Sequence, residues 1–164
     1  RTLLTCPAPV TALATQGDRL AVGLENGHIQ VHAGSNLSLE TTLTTSRGSI
    51  LTLAWSPDGR YLASGDANRG VYAYDRSESW RLVSKSWLYH TARVQSVAWH
   101  PSSKMLASAS LDTSIILWSV DTPGKRLTLP SAHMDNVTRV AFLDDRTLVS
   151  TGADGAIKLW DVQI

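Results

Sequence analysis

The sequence predicts an all-β chain in which one four-stranded antiparallel unit recurs four times, and three observations carry that expectation. The chain aligns with itself: Val94–Ser119 (VQSVAWHPSSKMLASASLDTSIILWS) and Val137–Asp161 (VTRVAFLDDRTLVSTGADGAIKLWD) share one order of parts. The residues that close the third apolar run of each unit, His32, Tyr74, Trp118 and Trp160, are separated by 42, 44 and 42 residues, a spacing typical of β-propeller blades. Within each unit, short alternating or wholly apolar runs are separated by turn residues, and helical periodicity is absent.

The second unit shows the elements in order. Ile50–Trp55 reads as a strand, Ser56-Pro57-Asp58-Gly59 as a turn, Tyr61–Ser64 and Val71–Tyr74 as the second and third strands, and Trp80–Trp87 as the span of the fourth. The other units repeat the pattern. Their first turns are Gly17-Asp18, His100-Pro101-Ser102-Ser103 and Asp144-Asp145, and their second turns are Glu25-Asn26-Gly27, Leu111-Asp112-Thr113 and Ala153-Asp154-Gly155. Expected blade boundaries are about 6–43, 48–87, 90–129 and 133–164, with 1–5 as a completing outer strand.

Composition narrows the function classes. A chain of 164 residues with 43% hydrophobic and 18% charged residues fits one ordinary globular domain or a piece of something larger. Fifteen Lys plus Arg against fourteen Asp plus Glu leave a net charge of +1, without the basic excess of nucleic-acid binders. No uninterrupted apolar run approaches the roughly 20 residues of a spanning helix, so a membrane partner is not expected. Cys6 is the single cysteine, which excludes an internal disulfide and a thiolate zinc cluster and fits a reducing compartment. The start at Arg1 reads as a processed or truncated chain.

The residues His90, Leu106-Ala107-Ser108, Asp112 and Trp118-Ser119, then His133, Ser150, Asp154 and Trp160-Asp161, resemble the WD40 repeat. The resemblance covers the whole chain, and it implies a β-propeller. It is strong in units three and four. It is weaker in unit two, where Asn68 and Tyr74 stand for Asp and Trp, and weakest in unit one, with Asn26 and His32.

The recurring sets His90, Ser108, Asp112, Trp118 and His133, Ser150, Asp154, Trp160 could be read as base, nucleophile and orienter of a serine hydrolase. Their repetition argues instead for a fold-building network. The Asp accepts from the His, the His reaches the Ser, and the Ser meets the indole N–H, as in the tetrad of WD repeats. Unit two has Ser46-Arg47-Gly48 in the histidine region, and unit one has Val22 in place of the serine, so these blades are expected to rely more on packing than units three and four.

Other constellations reduce to structure. His28 and His32 would lie about 13 Å apart on a strand, too far to share a metal ion. Asp144-Asp145 occupies a hairpin turn, and the glycines fall at turns and strand ends with no phosphate-binding pattern. No metal or cofactor is implied. Trp55, Trp99, Trp118 and Trp160 are expected in the core between blades. Trp80, Trp87 and Tyr89, by contrast, belong to a wet outer edge and are candidate partner anchors. Arg47, Arg69, Arg93 and Asp135 fall in loops expected at one rim and are the charged candidates for partner binding.

Several stretches resemble the C-terminal propeller of the actin-interacting protein 1 family. They are His90–Val94, Trp99–Ser103, Asp121-Thr122-Pro123 ahead of Ala132-His133, the run Val140–Ser150, and the Lys158-Leu159-Trp160 ending. That resemblance implies a cytoplasmic, cytoskeletal protein of two seven-bladed propellers that works with cofilin to disassemble actin filaments and catalyses no reaction itself. Its actin-contacting residues match nothing here residue by residue.

WD repeats normally close a ring at about seven blades, so four leave two apolar end faces uncovered. Two arrangements fit: two copies closing an eight-bladed ring with two-fold symmetry, in which Thr2–Thr5 completes a partner's last blade, or four blades of a longer protein.

Overall fold

The computed structural model describes residues 4–85 and 87–163 and contains four antiparallel sheets, each formed by strands consecutive in the chain. The first sheet holds β1 (Val10–Gln16), β2 (Arg19–Leu24), β3 (Ile29–Ala33) and β4 (Ser38–Leu43). The second holds β5 (Ile50–Trp55), β6 (Tyr61–Asp66), β7 (Val71–Asp75) and β8 (Arg81–Leu82). The third holds β9 (Val94–Trp99), β10 (Met105–Ser110), β11 (Ile115–Ser119) and β12 (Arg126–Leu129). The fourth holds β13 (Val137–Phe142), β14 (Thr147–Gly152) and β15 (Ile157–Asp161). The fold is an all-β partial propeller. Residues 1–3 and Ile164, part of the expected completing strand and the end of the last unit, lie outside the described residues, as does Ser86.

One element is shorter than the sequence suggests. The expected outer strand across Trp80–Trp87 is reduced to Arg81–Leu82, paired with Asp75 and Tyr74. A 3-10 turn at Arg76–Glu78, capped by Asp75, precedes it, and Ser79 and Trp80 both take positive φ. That left-handed pair breaks the extended run. Two further backbone bonds, Val83 N–H to Ala73 O and Val71 N–H to Trp87 O, hold the rest of the segment against β7.

The core lies between sheets, not within them. Ala21, Ile29 and Val31 of the first sheet meet Leu53, Trp55, Leu62 and Tyr74 of the second. Ala63 and Ala73 of the second meet Leu106, Ile116 and Trp118 of the third. Ala107, Ala109 and Leu117 of the third meet Val140 and Leu148 of the fourth. In each contact the second strand of the earlier sheet offers small residues: Ala21 and Gly23, Ala63 and Gly65, Ala107 and Ala109. The first strand of the next sheet presses into that space. A Cβ on Gly23 would lie 2.5 Å from Ile50 Cγ2, and one on Gly65 would lie 2.5 Å from Val94 Cγ1.

Hydrogen bonds repeat along the inner strands and first turns. Trp55 Nε1–H donates to Ala14 O at 3.3 Å, and Trp99 Nε1–H donates to Ala54 O at 2.9 Å, each reaching the first strand of the preceding sheet. At the turns, Gln16 Nε2 donates to Pro57 O, Asp58 N–H to Ser103 Oγ, and His100 Nε2 to Asp145 O. The end faces lack such cover. Leu13 is 62% exposed at one end, and Ile157 and Leu159 are 74% and 66% exposed at the other.

Gly65→Val would force a branched side chain into Val94, so the expected loss is about 1–3 kcal/mol in urea unfolding. Gly124→Ala, with open space around its new methyl, should leave the midpoint unchanged. Equal midpoints for the two variants would contradict this account of the contact between sheets.

Candidate interaction surface

The residues that could have formed a hydrolytic site are tied into closed chains of hydrogen bonds. His90 Nδ1 lies 2.8 Å from Asp112 Oδ2, His90 Nε2 lies 2.8 Å from Ser108 Oγ, and Trp118 Nε1–H donates to the same Oγ at 2.8 Å. In the fourth sheet the matching distances are 2.9 Å from His133 Nδ1 to Asp154 Oδ1, 2.8 Å from Nε2 to Ser150 Oγ, and 2.9 Å from Trp160 Nε1 to Ser150 Oγ. With one ring proton placed on Nδ1, the imidazole donates to the carboxylate, Nε2 accepts from the serine, and the serine accepts from the indole. Ser108 is fully buried and Ser150 is 1% exposed, so neither hydroxyl meets a substrate from solvent.

The carboxylates also organise the neighbouring backbone. Asp112 accepts from Thr91 N–H, Ser114 N–H and Ser114 Oγ, while Asp154 accepts from Met134 N–H and Ala156 N–H. Burial works to raise the Asp112 carboxyl, but the bonds from His90, Ser114 and Thr91 outweigh it and hold the group well below the usual range. Asp154 is lowered to about 2, chiefly by the Met134 N–H, then by His133 and the Ala156 N–H.

The second sheet is built differently. Ser46 takes the place of the histidine, and its Oγ donates to Asp66 Oδ2 at 2.6 Å. Asp66, fully buried, also accepts from Asn68 N–H and Gly70 N–H. Alongside the greater reliance on packing expected of this blade, a shorter polar chain stands where the tetrad would be. Asp66 does not stand out in the sequence, because it lies two residues before the position that carries Asp in units three and four. Ser64 keeps the tetrad serine and Tyr74 stands at the indole position; both hydroxyls are buried, and the Tyr74 hydroxyl lies beside Thr45 and Ser64 without the close bond that links Trp118 to Ser108. Burial pushes the Tyr74 hydroxyl up to about 12. In the first sheet His32 Nδ1 bonds Leu37 O, and Nε2 is buried with no hydrogen-bond partner among the described residues.

The loops at one end form a continuous rim. In every sheet the turn after the second strand is tied to the loop before the first strand: Glu25 N–H to Pro9 O, Ala67 N–H to Ser49 O, Leu111 N–H to Arg93 O, and Ala153 N–H to Asn136 O. Arg47, Arg69, Arg93 and Asp135 are all exposed on these loops. Arg47 and Arg69 line one cleft, together with Lys85 and Tyr72, whereas Arg93 and Asp135 line neither that cleft nor the one beside it.

The aromatic candidates separate. Trp87 is not a wet anchor: it is 1% exposed, stacks on Trp118 with ring centroids 5.2 Å apart, and donates to Pro123 O. Its indole covers the tetrad tryptophan of the next blade, and that burial is what an outer connecting segment supplies. Trp80 is half-buried and packs edge-on against Trp55 at 5.8 Å, which makes it part of the core margin. Tyr89 is 50% exposed, and the Arg126 guanidinium lies 3.4 Å from its ring centroid. Among the four expected core tryptophans, Trp55 and Trp99 lie on first strands and Trp118 and Trp160 on third strands. They form two repeating sets.

An inward tetrad, sheets that pack face to face and a shared rim of loops define a propeller-type scaffold with a binding edge. Three segments, 37–75, 83–119 and 124–161, match the family model of the WD domain, G-beta repeat. The chain belongs to the WD40-repeat family. Each matched segment begins at or near an outer strand of one sheet and continues through the first three strands of the next, so one sequence repeat spans two blades.

The chain is 38% identical over 156 residues to "Actin-interacting protein 1-2" of Arabidopsis thaliana, covering 92% of this chain and 26% of the relative. It is 38% identical over 146 residues to "Actin-interacting protein 1" of Drosophila melanogaster, covering 88% and 24%. It is 35% identical over 156 residues to a "66 kDa stress protein" of Physarum polycephalum, covering 94% and 26%. It thus spans about a quarter of the length of these curated relatives. Among solved structures, the computationally designed Ika4 protein superposes with a TM-score of 0.84 at 22% identity, over 99% of this chain and 96% of that one. U3-55K gives 0.87 at 22%, over 99% and 51%. These two likenesses concern the fold alone.

Truncating Asp112 to Ala removes the carboxylate acceptor of the buried His90 Nδ1, leaving only the longer contact to Ser114 Oγ at 3.3 Å, and the expected cost is about 1–3 kcal/mol in chemical unfolding. Tyr74→Phe, which keeps the buried ring and removes only the weakly engaged hydroxyl beside Thr45 and Ser64, should cost about 1 kcal/mol or less, while Trp118→Phe strips Ser108 of a donor at 2.8 Å and should cost more. Because the folded state lowers the Asp112 and Asp154 pKa values, it favours their ionised forms. That stability is complete above the unfolded carboxylate value near pH 4 and is lost as pH falls toward about 2, where Asp154 protonates in the fold. Thermal melts from pH 5 to 2.5 should therefore show a smaller fall for Asp154→Asn than for the unmutated chain.

Proposed function

We propose that the chain is a non-enzymatic protein-interaction scaffold, part of a cytoplasmic factor that acts at the cytoskeleton and promotes disassembly of actin filaments together with cofilin. The observation that carries this reading is the similarity, at 38% identity across about nine-tenths of the chain, to proteins named for interaction with actin. Burial of both tetrad serines supports a binding role over a hydrolytic one. The test is sedimentation with filaments, with and without cofilin. The chain is expected in the pellet with cofilin-decorated filaments; its recovery in the supernatant under both conditions would favour a general adapter with no role at actin.

The open end faces support self-association as well. Leu13 and Leu39 at one end, and Leu143, Ile157 and Leu159 at the other, are each more than half exposed, a pattern suited to burial against another sheet. Two copies joined end to end would close an eight-bladed ring. Light scattering across a concentration series should then give twice the chain mass, and a monomer throughout would refute the closed ring.

A further inference from the structure

A cleft of about 440 Å³ opens on the outer side of the second sheet, beneath the loop rim. Its charged lining is Arg47, Arg69 and Lys85, and Tyr72, Leu82 and Leu88 supply the apolar part. None of the three cations forms an ion pair among the described residues, and Leu88 is 56% exposed. The equivalent cleft on the third sheet is of similar size, about 400 Å³, but different in charge. Forty-four residues on, Arg47 becomes Thr91, Asn68 becomes Asp112, and Arg69 becomes Thr113. The one cation lining that cleft, Arg126, already lies over Tyr89, and Asp112 adds a carboxylate.

Two features of the second sheet produce the contrast. The carboxylate of its polar chain has moved from the cleft wall to Asp66, fully buried behind it, where Ser46, the Asn68 and Gly70 N–H groups and the Tyr72 side chain engage it. Asn68 is left at the wall. Arg69 also holds φ of 72°, at a turn position that the first and fourth sheets fill with Gly27 and Gly155. A long side chain is thus kept in a left-handed conformation that glycine would adopt more easily.

We infer that this cleft binds an acidic peptide segment of a protein partner, with the three cations meeting its carboxylates and Tyr72, Leu82 and Leu88 receiving an apolar side chain between them. The basis is charge complementarity in a concave site. It goes beyond the actin reading and does not rest on it, because its residues belong to the second sheet and the connections on either side of it, and its binding test involves no filament.

The test is fluorescence anisotropy with a labelled EEDLEE peptide at low salt, and a charge-reversed KKRLKK peptide as control. The acidic peptide should bind saturably and weaken as salt rises. Arg69→Gly should weaken it about fivefold, the scale of one exposed charge contact, while leaving the melting temperature unchanged or higher. Replacing Arg47, Arg69 and Lys85 together should abolish binding, and Lys125→Ala, outside the cleft, should not alter it. The inference is overturned by the absence of saturation, by unchanged affinity in the triple variant, by equal loss in Lys125→Ala, or by equal binding of the basic peptide. Filament sedimentation is read separately, so either proposal can fail alone.

Discussion

No sheet in this chain buries its own faces, and the whole structure depends on burial between one sheet and the next. The small residues of the second strands set the distance. Where Ala21 and Gly23, or Ala63 and Gly65, face the next blade, Ile50 and Val94 enter the space a larger side chain would fill. Indole donors from Trp55 and Trp99 then reach backbone carbonyls of the preceding inner strand, which adds direction to an otherwise non-directional contact. On the last sheet the corresponding positions are Val149 and Thr151, which face no further blade within the chain.

The tetrads perform the complementary task further out. A buried imidazole and a buried hydroxyl are costly unless each donor meets an acceptor. Asp112 and Asp154 complete that pairing and at the same time fasten the rim turns to the incoming loops. The outcome is a fixed frame under a variable edge. Variation in the second blade illustrates the division: exchanging His for Ser at position 46 and drawing the carboxylate in to Asp66 keeps a polar chain in the interior while changing the charge at the surface.

Fold and period could be read from the sequence because they rest on local rules: alternation along strands, turn residues between them, and a repeat near 42–44 residues. The surface was harder to read. Trp87 sits in a connection with few strand signals, yet its burial depends on Trp118 of the next blade, a contact between sheets that no local pattern encodes. Asp66 is displaced by two positions from the expected carboxylate, so a search at fixed spacing passes over it. Tyr72 and Lys85 gain meaning only when the fold sets them beside Arg47 and Arg69. One signal was available: an Arg where two other units place Gly in the same turn.

The central claim is that stability comes from contact between sheets, and native-state hydrogen exchange measured at concentrations low enough to keep the chain monomeric tests it most directly. The account predicts slowest exchange in β6, β7, β10 and β11, whose sheets are covered on both faces, and faster exchange in β3 and β15 of the end sheets. Protection in the end sheets equal to that of the middle pair would show that each blade is stable by itself, and would contradict the account.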